Sequence, residues 1–322
     1  MDITAKASVP RLGAVKFAIL GPGGVGGLLA GVLEQAGTPV IVVAREQSAR
    51  VIADDGLRVS SVMFGEMVQR PRAVACLQEP VDVLIVATKA AGLADALQRI
   101  DAEPGLVLPL LNGLDHLAVL RERFAPSSVL AGSIRVEADR PEPGVIDHTS
   151  RFLLVEMAPA AGLEQEVDEQ AMTGIVDTLQ DAGVPARVGE SEASVMWSKL
   201  VRLNALACVT SAYDRLLGEI RDTPALRADL QGAIREGCAV GQAEGASDVD
   251  PERAIAELDM AHATLGSSMQ RDIAAGREPE LDAIPGAVLR AAARHGLRCP
   301  TIERLVALIA KRAGVPEPAV SS

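Results

Sequence analysis

The stretch Val15-Lys16-Phe17-Ala18-Ile19-Leu20, followed at once by Gly21-Pro22-Gly23-Gly24-Val25-Gly26-Gly27, decides the fold of this 322-residue chain. An apolar run this short, stopped by glycines, reads as a buried strand of a parallel sheet. Leu28, Leu29, Val32 and Leu33 then recur at helical spacing, and Gly37 closes the helix. Val40-Ile41-Val42-Val43 is a second buried strand. Strand, glycine turn, helix and strand make a βαβ unit. The first half is therefore expected to be an α/β Rossmann domain. Further strands are expected at 81–87, 106–111 and 129–136, with an antiparallel pair at 143–146 and 152–155 joined by a polar turn.

A G-x-G-x-x-G pattern is informative when it sits between a strand and a helix, as here. Gly21 permits a tight turn, Gly23 lets the backbone approach a pyrophosphate, and Gly26 lets the helix pack on the sheet. With Pro22, Gly24 and Val25 they form the expected cofactor-binding turn, whose helix N-terminus offers free N–H groups to phosphates. A purely structural turn is the plainer reading of the same residues. The end of the second strand discriminates between cofactors. NAD enzymes carry an acid there for the ribose hydroxyls, whereas this chain has Val43-Ala44-Arg45. A guanidinium suits a 2′-phosphate, so NADP is the expected cofactor, with Glu46 pointing away.

The second half reads as helices. Thr223-Pro224 and Asp250-Pro251 each look like an N-cap followed by proline in the first turn. Helical spacing recurs over 281–294 and 302–311, and no strand pattern follows Val188. The expected division is an N-terminal extension (1–14), a Rossmann domain (15–189), a helical substrate domain (190–312) and a flexible tail (313–322).

Composition excludes several functions. With 43 acidic against 31 basic residues the formal charge is −12, which disfavours nucleic acid and anionic membranes. Aromatic residues at 2% are too few for a base-stacking platform. The cysteines, Cys76, Cys208, Cys238 and Cys299, form no CxxC pair, so no metal site is expected; Cys208 and Cys238 read as buried apolar residues. Neither a signal peptide nor a membrane span is apparent, and a cytoplasmic protein is expected. The histidines, His116, His148, His262 and His295, show no metal spacing and receive no role.

An ordered series of motifs runs through both halves: Gly21-Pro22-Gly23-Gly24-Val25-Gly26, Arg45, Thr88-Lys89, Leu111-Asn112-Gly113, Trp197-Ser198-Lys199-Leu200, Ser267-Ser268-Met269-Gln270-Arg271-Asp272, and Gly276-Arg277-Glu278-Pro279-Glu280-Leu281-Asp282. In this order the chain resembles ketopantoate reductases (2-dehydropantoate 2-reductases) from Val15 to about Lys311. The resemblance implies a helical second domain like that of 6-phosphogluconate dehydrogenase, and NADPH-dependent reduction of ketopantoate to pantoate for pantothenate and coenzyme A synthesis. It also implies a small 2-oxo acid as partner and a homodimer as a possible assembly.

By the same resemblance Lys199 is the general acid and Glu280 its catalytic neighbour. Ser268 binds the substrate carboxylate, Asn112 and Lys89 lie near the nicotinamide, and Arg45 meets the 2′-phosphate. Asn112 and Asn204 are counted with Ser268 as substrate-binding candidates. Each residue also has a plainer reading. Lys199 can lay its stem on Trp197 at the surface. Ser268 and Asp272 can bond locally, Glu280 can serve a helix start, and Asn112-Gly113 can be a turn.

Two positions depart from the family pattern, which has asparagines four and eight residues after the lysine. Here Leu203 and Ala207 stand there. Asn204 lies about 100° further around a helix. Pro279 replaces a common threonine. A less polar 2-oxo acid, ketone or imine is thus an alternative substrate, and a non-catalytic NADP sensor is a third reading.

Overall fold

The computed structural model describes residues 15–320; the expected N-terminal extension lies outside them. In chain order the first part runs β1 (Phe17–Leu20), α1 (Gly24–Gln35), β2 (Val40–Val43), α2 (Glu46–Asp55), β3 (Leu57–Ser61), β4 (Gly65–Gln69), β5 (Arg72–Val74), β6 (Val83–Val86), α3 (Leu93–Leu97), β7 (Leu106–Pro109), α4 (His116–Arg123), β8 (Ala131–Arg135), β9 (Ala138–Glu142), β10 (Val145–His148), β11 (Leu154–Ala158), α5 (Glu169–Asp181) and β12 (Ala186–Val188).

The central sheet has five strands in the order β5-β2-β1-β6-β7, all parallel. Its strands are buried on both faces, which is why β1, β2, β6 and β7 read as continuous apolar runs. The order reverses direction beside β1, so the crevice beyond the carboxyl ends of β1 and β6 is where such a sheet binds its ligand. The chain enters that crevice through Gly21, whose φ is +92°.

The expected hairpin of 143–146 with 152–155 does not form. Pro143 and Gly144 make the turn of a different hairpin, β9–β10, and β10 also pairs parallel with β3. Residues Leu154–Ala158 belong to another sheet, antiparallel to β8 and parallel to β12. The Ser150 hydroxyl holds the link between the two sheets, accepting from Glu137 N and donating to Phe152 O. The partner strand β9 is Ala-Asp-Arg-Pro-Glu, an edge strand mostly exposed to water, so it offered no apolar alternation to read.

The second part contains α6 (Glu192–Tyr213), α7 (Leu217–Asp222), α8 (Pro224–Ala243), α9 (Pro251–Met260), α10 (Ser268–Ala274), a π-helical turn (Asp282–Gly286), α11 (Ala287–Arg294) and α12 (Pro300–Ala313). No strand follows Val188 among the described residues. The long α6 is the shared wall. Trp197, Leu200, Val201, Ala205 and Cys208 face the helical core, whereas Val195 and Met196 pack on the Rossmann side with Leu117 and Leu120. Asp250 caps α9 by accepting from Arg253 N. Thr223 is only positionally a cap: its hydroxyl donates backwards to Glu219 O and leaves the α8 N–H groups alone. Residues 315–320 of the expected flexible tail lie against the helical part, with Val315 on its core and Ala319 O accepting from Arg290. Cys208 and Cys238 are buried, and burial pushes both thiols up, that of Cys238 to about 11.

Candidate active site

The glycine turn offers a phosphate cradle. Helix α1 begins at Gly24 with Gly23 as its N-cap, and no side chain caps it and no acid sits in its first turn. Its leading N–H groups are free of intrahelical acceptors. A Cβ at Gly26 would overlap Gly21 O and crowd Ile19 and Ala87, so that glycine lets the helix close on the sheet. Gly23 differs. A Cβ there would meet no protein atom nearer than Ala87 O at 3.9 Å. The protein itself does not demand glycine at that place, whereas a diphosphate lying against the backbone does.

Arg45 follows β2 as the N-cap residue of α2, exposed and without an ion-pair partner among the described residues. It shares the wall of a cleft of about 570 Å³ with Glu46, Arg50, Asp54, Asp55 and Arg99, so Glu46, expected to point away, lines the same cleft. Arg99 was not foreseen: nothing local in the sequence ties it to a residue 54 positions away.

The cleft between the two parts holds a connected set of polar groups. Asn112 stands just beyond β7. Its Oδ1 accepts from Lys199 Nζ at 2.8 Å, and its Nδ2 donates to Glu280 Oε2 at 3.0 Å. One amide thus joins α6, the loop after β7 and the segment entering the π turn. Burial lowers the Lys199 ammonium, Glu280 partly offsets this, and Arg135 lowers it again; its pKa lies at about 8. Trp197 is 2% exposed and faces the helical core, so the reading of Lys199 as a surface lysine stacked on that ring does not hold. The plainer reading of Gly113 survives alongside the functional one. Its φ is +86°, and a Cβ there would overlap the Ala283 carbonyl oxygen of the π turn. Arg290 reinforces that junction by donating to Asp115 and Asp282.

Lys89 lies in the same cleft, with Nζ 2.7 Å from Asp272 Oδ2. Asp272 also accepts from Arg277 Nε at 2.8 Å, so it does not make the local bond with Ser268 that its spacing allowed. Ser267 takes the capping role on α10, accepting from Gln270 N and pairing with Thr210 Oγ1 at 2.7 Å. Thr210 lies eleven residues beyond Lys199, about three turns along the same helix face. Ser268 is the first residue of α10, half-buried and with no side-chain partner among the described residues. Leu203 and Leu206 are half-buried along this stretch and Ala207 is buried.

Asn204 does not join the set. It is 0% exposed, accepts from Cys208 Sγ at 3.5 Å within the helical core, and leaves Nδ2 without a partner. Five residues on a helix rotate it about 140° away from Lys199. As a surface of the cleft it is withdrawn. The pairing of Asp272 with Lys89 is what the sequence reading missed. Asp272 lay inside a quoted motif, but its partner Lys89 comes from a distant element, 183 residues away. No cluster suited to a metal ion, and no helix long and apolar enough to cross a membrane, occurs among the described residues.

A Rossmann sheet with an open glycine turn, facing a lysine held by an amide and a carboxylate, defines an oxidoreductase that uses a pyridine nucleotide on a CH–OH group. The family model for the ketopantoate reductase PanE/ApbA matches residues 17–159, and the model for its C-terminal part matches 193–313. The chain belongs to the ketopantoate reductase family. A 2-dehydropantoate 2-reductase of Mycobacterium tuberculosis is 30% identical over 312 residues, covering 94% of this chain and 99% of that relative. One from Halobacterium salinarum is 28% identical over 302 residues, covering 92% and 98%. In fold the chain is similar to a D-mandelate dehydrogenase solved with NADH and anilino(oxo)acetate, with a TM-score of 0.81 at 23% identity over 93% of this chain and 98% of that one.

Proposed function

We propose that this protein reduces a small 2-oxo acid with NADPH, and that ketopantoate is its substrate, giving pantoate. The observation that carries the reading is the Lys199–Asn112–Glu280 set in the cleft. When bound, the reduced nicotinamide supplies a hydride. The chain's own residues do the rest. The Lys199 ammonium stabilises the developing alkoxide and gives it a proton. Asn112 fixes the direction of the amine. Glu280 opposes loss of its charge where burial would otherwise strip it. Ser268, with a free hydroxyl, receives the substrate carboxylate. Lys89, held by Asp272, lines the cofactor side.

The exposed guanidinium of Arg45 supports NADPH over NADH. Replacing Arg45 with alanine should weaken NADPH by about tenfold or more, as expected for loss of a charge-assisted phosphate contact, and leave NADH nearly unchanged. Titration of protein fluorescence with each nucleotide checks this; equal weakening of both would sink the assignment.

A second reading rests on Leu203 and Ala207. Two apolar side chains stand on α6 four and eight residues beyond Lys199, where they offer a substrate hydroxyl no partner. The test is kcat/KM for ketopantoate against 3,3-dimethyl-2-oxobutanoate, which differs by that hydroxyl alone. A site that pairs the hydroxyl would prefer ketopantoate, by up to about 10⁴-fold in the extreme case. A preference for the analogue would keep the chemistry and change the substrate. Tight NADPH binding with no oxidation by either acid would leave a non-catalytic nucleotide sensor.

A further inference from the structure

The loop that carries Asn112 is gripped from the helical part at both of its ends. At one end Asn112 meets Lys199 at 2.8 Å and Glu280 at 3.0 Å. Three residues on, Asp115 Oδ2 accepts from Arg290 Nη2 of α11 at 2.6 Å. Between them Gly113 lies against the Ala283 carbonyl of the π turn, and Leu114 packs on the helical core. The same guanidinium holds the π turn. Its Nη1 donates to Asp282 Oδ1 at 2.8 Å, and its Nη2 to the Asp282 carbonyl at 2.9 Å. Asp282 stands two residues beyond Glu280. One planar, charged fork thus joins the segment that carries the amide to the segment that carries the carboxylate.

Two local features serve this fork and not the elements they sit in. Asp115 is the N-cap residue of α4, where an aspartate ordinarily accepts from the free N–H groups of its helix. Its side chain makes no such bond among the described residues and turns to Arg290. Gly286 has ordinary helical dihedrals, φ −60° and ψ −42°, so its backbone does not call for glycine, and glycine inside a helix is a net cost against alanine. A Cβ there would stand 3.2 Å from both Arg290 Nη1 and Asp282 Oδ1, and 2.8 Å from Pro318 Cβ. The missing methyl leaves room for the fork and for the C-terminal segment, whose Ala319 carbonyl accepts from Nη1 at 3.2 Å. The Arg290 side chain is 19% exposed, those of Asp115 and Asp282 49% and 72%. Ion pairs this wet add little to stability, so what the fork contributes is geometry.

We propose that Arg290 is a positioning residue of the reduction: through Asp115 and Asp282 it fixes the spacing of Asn112 from Glu280, and so the direction in which Lys199 presents its proton. The proposal rests on the reading of Lys199 as the proton donor. Arg290 makes no hydrogen bond to Lys199, Asn112 or Glu280; its partners are Asp115, Asp282 and Ala319. Its effect therefore runs through the loop and the turn. A displacement of about 1 Å at the reacting groups, caused from a distance, costs up to about 10²-fold in rate.

The test is steady-state NADPH oxidation, with whichever of the two 2-oxo acids the wild type reduces faster, by Arg290→Ala, Asp115→Ala, Asp115→Asn, Asn112→Ala and the double variant Asp115→Ala with Asn112→Ala. Asp115→Ala cuts only the bond across the cleft and leaves α11 tied to the π turn, so lost positioning is separable from damage to the helical part. Arg290→Ala and Asp115→Ala should each lower kcat by about tenfold to a hundredfold, with NADPH affinity within about twofold of wild type. The Tm of Asp115→Ala should stay within about 2 °C, as for loss of an exposed ion pair. Asp115→Asn keeps an oxygen that accepts from the guanidinium and should return kcat to within about threefold of wild type. In the Asn112→Ala background, adding Asp115→Ala should cost less than about twofold more, because no amide is left to position. An unchanged kcat in Arg290→Ala and Asp115→Ala, or the full loss repeated on top of Asn112→Ala, would overturn the positioning role. No NADPH oxidation by the wild type would overturn the reductase reading itself, and the positioning role with it.

Discussion

Lys199→Ala should lower turnover of a 2-oxo acid by about 10²- to 10⁴-fold, the range for removal of a general acid, with NADPH affinity within about twofold of wild type. The split follows from where the lysine sits. Its ammonium is bonded to Asn112 in the cleft, whereas the glycine turn leads into α1 and Arg45 is the N-cap residue of α2. Neither the glycine turn nor Arg45 touches its side chain, and Asn112 keeps its bond to Glu280 without it. The pH dependence carries the same signature. Burial brings the lysine to a pKa of about 8, so the protonated donor predominates below that pH and is lost as pH rises through it. Turnover in the reductive direction should therefore fall above pH 8, and the variant's residual rate should lack that step. Steady-state rates from pH 6 to 10, with nucleotide titrations at pH 7, measure both. An unchanged rate in Lys199→Ala removes the lysine from the chemistry.

Gly113→Ala should be the most damaging single methyl in the cleft. The backbone has φ +86°, a region that costs an L side chain about 1–2 kcal/mol. The added Cβ would also overlap the Ala283 carbonyl, which is backbone and has little room to yield. A total of roughly 3 kcal/mol or more is expected, within the range for strain at a special φ/ψ. In a protein of this size that lowers Tm by about 5–10 °C. Activity should fall further than stability, because Asn112 is the next residue and any separation of the loop from the π turn pulls it from Glu280. Calorimetry and kcat on the same preparation test this. A variant with wild-type Tm would mean that the two segments do not meet as closely as described.

How far the sequence could be read follows from which interactions are local. The strands β1, β2, β6 and β7 announce themselves because a parallel sheet buried on both faces requires continuous apolar runs. The strands β3, β4 and β9 have one wet face or lie at an edge, so charges and a proline interrupt them. Pro143-Gly144 was read as the start of a strand and is a turn, the strand before it went unseen, and the hairpin was joined to the wrong partner. In the cleft, Lys199, Asn112 and Glu280 were legible only as members of an ordered series. Their residue types alone fit a surface lysine, a turn and a helix start. The hydrogen bonds that join them span 87 and 168 residues of chain, beyond the reach of any local pattern. Lys89 and Asp272 were each noticed and not paired, for the same reason. Asn204 shows the converse error: the right residue type one position off, which on a helix turns the amide into the core.

The most direct test of the central claim is a stoichiometric one. Purified protein is incubated with excess NADPH and a known amount of ketopantoate, NADPH loss is followed by absorbance, and the product is identified by NMR. If Lys199 and its partners reduce the 2-oxo acid, one NADPH disappears per ketopantoate and pantoate accumulates. If NADPH binds and is not consumed, and no pantoate forms, the assignment of this cleft to ketopantoate reduction is contradicted.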